Sequence, residues 1–204
     1  MTVLVVDYGM GNLASARRSL EECGARVLVS DDPATIRDVD RVVVPGVGAF
    51  PMAMQRLRER GWADAIRAAA IDDKLPVLGV CLGMQLLADE GTEVGVTQGL
   101  GLIRGRVERM RPELPGERVP HVGWNEVNLV GAPMLFDGIP TGADFYFVHS
   151  YRFVATDPDD VLATAPYCGE VVAAVGRGSV MGVQFHPEKS SRAGFRLLKN
   201  FLAA

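Results

Sequence analysis

From Met1 to Glu90 the chain alternates short apolar runs with stretches of helical spacing. Val3-Leu4-Val5-Val6 is apolar throughout, the pattern of a strand covered on both faces. Leu13, Ala16, Leu20 and Cys23 recur at the helical period and Gly24 follows to end that helix, which makes Cys23 a packing residue. Val27–Val29 predicts a second strand, Asp31-Asp32-Pro33 a turn into a short helix, and Arg41–Val44 a third strand stopped by Pro45-Gly46-Val47-Gly48-Ala49-Phe50. Helices over Met52–Arg60 and Trp62–Ile71 lead into a fourth strand, which ends at Cys81. Apolar strands separated by helices are the signature of a parallel sheet covered on both faces.

Beyond Glu90 the texture changes. Gly91 to Gly105 is rich in glycine, and Pro112–Gly116 reads as a surface loop. Strand-like runs then crowd together at Val107–Met110, Asn125–Leu129, Asp144–Phe153, Val161–Ala165, Val171–Val175 and Val180–Phe185, without helices between them. A last helix over Arg192–Leu202 places Phe195, Leu198 and Leu202 on one face. The expected fold is α/β: a mostly parallel central sheet flanked by helices, with an antiparallel extension. At 204 residues and 48% hydrophobic composition, the chain reads as a single domain over 1–204.

The sharpest local feature is Val77-Leu78-Gly79-Val80-Cys81-Leu82-Gly83-Met84-Gln85. A buried strand passes directly into a helix at Cys81, which forces a strained turn, and Gly79 and Gly83 leave room for it. This is the nucleophile-elbow arrangement with cysteine as the reactive residue, set at a helix start where amide N–H groups meet negative charge. A small buried hydrophobe at a tight turn is the competing reading.

A base for that thiol lies at the far end of the chain, in Val183-Gln184-Phe185-His186-Pro187-Glu188-Lys189. His186 ends an apolar strand, so its backbone is held while its ring can face a cleft. Glu188, past a proline that fixes the backbone, can accept the other ring N–H and hold the tautomer that removes a proton from sulfur. Cys81, His186 and Glu188 thus make a nucleophile, a base and an orienting group.

Charge and cysteine content narrow the setting. A net charge of −4 gives no reason to expect nucleic acid or an anionic membrane as a partner. Three scattered cysteines form no disulfide framework, and Cys168 has no base near it in sequence. No basic region precedes the first apolar run and no stretch approaches membrane-spanning length, which points to a cytoplasmic protein. There is no metal-ligand cluster and no phosphate-binding glycine loop after a strand, so neither metal nor cofactor is expected.

Gly-Val-Cys-Leu-Gly-Met-Gln at Gly79–Gln85 together with His-Pro-Glu at His186–Glu188 resembles the class I (triad) glutamine amidotransferases, and the likeness runs the length of the chain. That resemblance implies hydrolysis of glutamine through a cysteinyl thioester, with Cys81 as nucleophile, His186 as acid and base and Glu188 as its partner. It implies an oxyanion hole from the backbone of Leu82 and of the Pro45–Gly48 segment at Val47 and Gly48, and glutamine binding by Gln85, Glu93, Ser150 and Tyr151. Glycines on both sides of Val47 could let that segment turn an N–H toward the thioester only when a partner is engaged. Segments Val42–Phe50, Pro120–Asn125 and Tyr146–Tyr151 resemble members that act as a separate chain. Those members form a heterodimer with a (β/α)8-barrel cyclase subunit that uses the ammonia. On that likeness Asn12, His121, Trp124, Tyr146 and Lys189 face the partner, although a core role suits Trp124 and Tyr146 equally well. Gln85 and Glu93 read alternatively as exposed polar residues. A non-catalytic binding module of the same fold would be expected to lack Cys81 or His186, and both are present.

Overall fold

A computed structural model describes residues 1–204, with thirteen strands and five α-helices. The first half runs β1 (Thr2–Val6), α1 (Leu13–Glu22), β2 (Arg26–Ser30), β3 (Arg41–Gly46), α2 (Phe50–Glu59), α3 (Trp62–Ile71), β4 (Val77–Cys81) and α4 (Leu82–Leu86). The second half runs β5 (Glu90–Gly91), β6 (Thr97–Gln98), β7 (Gly105–Arg109), β8 (His121–Leu129), β9 (Ala143–His149), β10 (Tyr151–Ala155), β11 (Val161–Pro166), β12 (Glu170–Arg177), β13 (Val180–Val183) and α5 (Ser191–Ala203).

The main sheet has nine strands in the order β2-β1-β3-β4-β13-β12-β11-β8-β9. From β2 to β13 every pairing is parallel; from β13 to β9 every pairing is antiparallel. The parallel half with its antiparallel extension is the architecture that the apolar runs imply. In β1, Val3 and Val5 point into one core while Leu4 and Val6 point into the other, as the pleat requires. Leu20 of α1 and Leu197, Leu198 and Phe201 of α5 fill the first core. Met54 and Leu57 of α2, Trp62 and Ile66 of α3 and Met84 of α4 fill the second.

Two expectations are corrected. The run Asp144–Phe153 is two strands, not one: it breaks at Ser150, with β9 in the main sheet and β10 in a second sheet of order β10-β7-β5-β6. Val107–Arg109 of the expected Val107–Met110 strand likewise belongs to this second sheet, as part of β7, and not to the antiparallel extension. The reason is in the packing. Phe145 and Phe147 of β9 enter the first core, whereas Phe153 of β10 joins Val107 in the second, so the chain must change sheets between them. The helix after Cys81 is also short, ending at Leu86, because Leu100, Leu102 and Ile103 take the carbonyls of Leu86 and Leu87.

Candidate active site

Cys81 is the last residue of β4 and sits at φ 55°, ψ −108°, a backbone conformation that costs a side-chain-bearing residue on the order of 1–3 kcal/mol. The elbow closes only because its neighbours lack side chains. A Cβ at Gly83 would lie 1.8 Å from the Val44 carbonyl oxygen, and one at Gly79 would lie 2.5 Å from that of Gly83. Both glycines are thus required for backbone to pass against backbone.

His186 follows the adjacent strand, which ends at Val183 and not at Phe185 as the apolar run implies. In the parallel pairing of β13 with β4, Val183 lies opposite Val80, so the chain leaves the sheet beside Cys81 on both strands. The His186 amide donates to the Tyr146 carbonyl at 2.9 Å, and the Ser190 hydroxyl donates to the His186 carbonyl at 2.6 Å. His186 Nδ1 meets Glu188 Oε1 at 2.8 Å, with both side chains almost fully buried. The carboxylate can only accept from a ring N–H at neutral pH, so Nδ1 carries the proton. Nε2 is buried without a hydrogen-bond partner. Burial alone would pull the imidazole down; Cys81 and Glu188 outweigh it and raise the ring to about 9. The Cys81 thiol lies 3.8 Å from the Val148 carbonyl and 3.8 Å from Gln184 Nε2.

A cavity of about 390 Å³ opens on this pair. Val47, Gly48 and Leu82 line it, together with Gln85, Glu93, Ser150 and Tyr151. The proposed oxyanion donors and glutamine-binding residues therefore share one cavity with Cys81 and His186. Within it, Glu93 accepts from the Phe50 amide at 2.7 Å, which leaves its other oxygen available and charges the start of α2 favourably. Gln85 is not the exposed polar residue of the alternative reading. It is buried, and its amide nitrogen donates to the Tyr151 carbonyl at 3.1 Å and to Gln184 Oε1 at 3.0 Å. A group facing the cavity can use only its Oε1.

The five residues expected to face a partner divide. Trp124 is 54% exposed, packs edge-on to Tyr146 at 6.1 Å, and stands with Val122 and Val148 on the outer side of the β8–β9 pair. Lys189 Nζ lies 5.6 Å from the centre of the Tyr146 ring, and Asn12 is exposed at the start of α1. A core role for Trp124 is thereby excluded. His121 is corrected: it is 3% exposed, its ring stacked between Tyr167 at 3.8 Å and Phe147 at 4.7 Å. Strand alternation puts residues 121 and 124 on opposite faces of β8, so His121 points inward.

Three further residues escaped the sequence reading. Tyr8 is buried after β1, and its hydroxyl donates to the Pro45 carbonyl at 2.8 Å. Burial, and then the nearness of Cys81, pushes its phenol well above the usual range. Gln184 bridges the thiol and Gln85, and its signal was a polar residue inside an apolar strand end. His149 lines the cavity and carried only the signal of being one of three histidines.

A family model for class-I glutamine amidotransferases matches residues 4–204. The imidazole glycerol phosphate synthase subunit HisH of Symbiobacterium thermophilum is 49% identical over 199 residues, covering 98% of this chain and 92% of that one. The subunit of the same name from Moorella thermoacetica is 47% identical, covering 98% and 93%. A crystal structure of a glutamine amidotransferase superposes with a TM-score of 0.77 at 22% identity, covering 98% of this chain and 97% of that one, and so shares the fold. On the match of the family model and the near full-length identity to these relatives, the chain belongs to the class-I glutamine amidotransferases.

Proposed function

We propose that this chain is the glutaminase subunit of an imidazole glycerol phosphate synthase, with all 204 residues forming one amidotransferase domain. The observation that carries the reading is near full-length identity to relatives of that name, at 49% over 98% of this chain. The site supports the chemistry. The sulfur of Cys81 attacks the carboxamide carbon of glutamine with its proton already held on His186 Nε2, since the ring, raised to about 9, is an imidazolium at neutral pH. The tetrahedral intermediate's oxyanion is met by backbone N–H groups at Leu82 and at Val47 or Gly48, each such donor contributing about 3–4 kcal/mol. His186 returns its proton to the leaving nitrogen, ammonia departs, and a thioester remains on Cys81. Water, deprotonated by the same ring, then releases glutamate. Glu188 keeps Nδ1 protonated throughout and stabilises the imidazolium.

Glutamine binds through Glu93 to its ammonium and through the Ser150–Tyr151 backbone to its carboxylate, with Gln85 beneath. Ammonia passes to a (β/α)8-barrel cyclase subunit, docked as a heterodimer on the exposed face of Trp124, Tyr146, Lys189 and Asn12. That cyclase makes imidazole glycerol phosphate and an aminoimidazole carboxamide ribonucleotide in histidine biosynthesis. The test is Cys81→Ala in the complex with that subunit. Synthesis from glutamine should disappear while synthesis from added ammonium persists; loss of both would overturn the assignment.

A further inference from the structure

His149 has no part in the steps above, yet the position of every proton between it and the far end of its hydrogen-bond chain is fixed. His149 Nδ1 lies 2.8 Å from the Tyr151 carbonyl. A carbonyl only accepts, so Nδ1 carries the proton and the neutral ring presents Nε2 as an acceptor. His121 Nδ1 is 3.0 Å from that Nε2 and must be its donor. His121 Nε2 is then an acceptor, facing Asn125 Nδ2 at 3.3 Å. The Asn125 amide is oriented independently, since Nδ2 also donates to the Pro166 carbonyl at 3.2 Å and Oδ1 accepts from the Glu126 amide at 2.9 Å. Both ends demand the same direction: Asn125 donates to His121, His121 to His149, and His149 to Tyr151.

The two histidines are directly opposite one another across the β8–β9 pair, and the His149–Tyr151 bond spans the residue where the chain leaves one sheet for the other. The Ser150 carbonyl accepts from the Met110 amide at 3.0 Å, just past the end of β7, so the peptide is held on one side by the small sheet. The Tyr151 carbonyl just beyond it is held by two side chains, His149 and Gln85. Ser150 and Tyr151 line the cavity with Cys81.

We infer that His149 is a positioning residue for the amino-acid end of glutamine: its Nδ1–H clamps the Tyr151 carbonyl and so sets the Ser150–Tyr151 backbone, while His121 across the pair sets its tautomer. This deepens the glutaminase reading and rests on it. Desolvation lowers both rings to about 4, so they stay uncharged and the chain keeps its direction at neutral pH. An uncharged ring also spares the nearby His186 imidazolium a like charge.

The two nitrogens can be tested separately, because the amide of asparagine reaches about as far as Nδ1 and that of glutamine about as far as Nε2. In the complex with the cyclase subunit, H149Q should raise KM for glutamine about tenfold with kcat changed less than about threefold, since one hydrogen bond of ordinary net strength is lost. H149N, which keeps a donor toward Tyr151, should restore KM to within about threefold of the unsubstituted chain. Equal KM values in all three proteins, or a loss confined to kcat, would overturn the inference. Ring nitrogen chemical shifts of the unsubstituted protein provide a second measurement independent of any variant's folding. They should report Nδ1–H on both His121 and His149 near pH 7.5, and Nε2–H on His149 would overturn the inference. If the unsubstituted complex fails to hydrolyse glutamine at all, the glutaminase reading fails first and takes this inference with it. A failure of the inference alone shows active complexes without the KM split.

Discussion

The hydroxyl of Tyr8 and the carbonyl of Pro45 are joined by a buried hydrogen bond of 2.8 Å, which ties the end of β1 to the point where β3 releases the Val47–Gly48 segment. Tyr8→Phe keeps the ring and removes only the donor. The Pro45 carbonyl is then left without that partner in a dry site, so stability should fall by about 1–3 kcal/mol, read from the urea unfolding midpoint. If the bond also anchors the oxyanion segment, glutamine-dependent synthesis in the complex should drop further than ammonium-dependent synthesis. An equal fall in both would restrict Tyr8 to stability.

Gly48 sits at φ 105°, where a Cβ is strained by about 1–2 kcal/mol and would also lie 2.8 Å from the end of the Met10 side chain. If the segment turns when the partner engages, Gly48→Ala should bias that turn more than it damages the fold. The expected outcome is a smaller increase in glutaminase rate on adding the nucleotide-loaded partner, with the rate of the isolated chain less affected. Proportional losses in both would place the switch elsewhere.

For Glu188→Gln, shape is kept and charge is lost. His186→Ala should lower glutaminase turnover by about 10²–10⁴, the usual worth of a general base, and Glu188→Gln should lower it by less. Linkage gives a second readout. The native ring titrates at about 9, above an unfolded imidazole near 6.5, so its protonated form adds stability that is fully present below about pH 6.5 and lost as pH rises through 9. Removing the Glu188 charge should flatten that alkaline loss. Unchanged melting curves between pH 6 and pH 10 would show that Glu188 does not support the imidazolium.

His121 and His149 carry the opposite sign. Their native values of about 4 lie below the unfolded value, so the folded state binds fewer protons, and stability present above about pH 6.5 is lost as pH falls through 4. His186, the third and last histidine, is protonated in both states in the lower part of that window. The lowered carboxyls of Glu108, Glu117 and Asp157 add to the same decline, so the comparison with H149N isolates the histidine contribution. The melting temperature should thus decline from pH 6.5 toward pH 4, and less steeply in H149N. An equal slope in H149N would contradict the contribution of the buried His149 ring.

The parallel half of the sheet and the elbow were legible because uniform apolar runs and two glycines admit few other structures. The same apolar uniformity hid the break at Ser150: Phe145, Phe147 and Phe153 read as one strand, and only the choice of core separates them. Strands as short as Glu90–Gly91 and Thr97–Gln98 carry no periodicity at all. Cys81, His186 and Glu188 stood out through spacing. Tyr8, Gln184 and His149 did not, since each acts through a tertiary contact with a residue far away or on another strand. His121 shows where simple alternation was available and outweighed by resemblance.

Because Val183 stands opposite Val80 on neighbouring central strands, Cys81 at the end of β4 and His186 three residues past the end of β13 leave the same end of the main sheet. The His186 amide is tied to that sheet again through the Tyr146 carbonyl of β9. Glu93 and Tyr151 come instead from the small sheet and the loops around it. The molecule thus separates its reaction from its selectivity mechanically. The small sheet could be re-sequenced to accept a different amide while Cys81 and His186 kept their anchors on the main sheet.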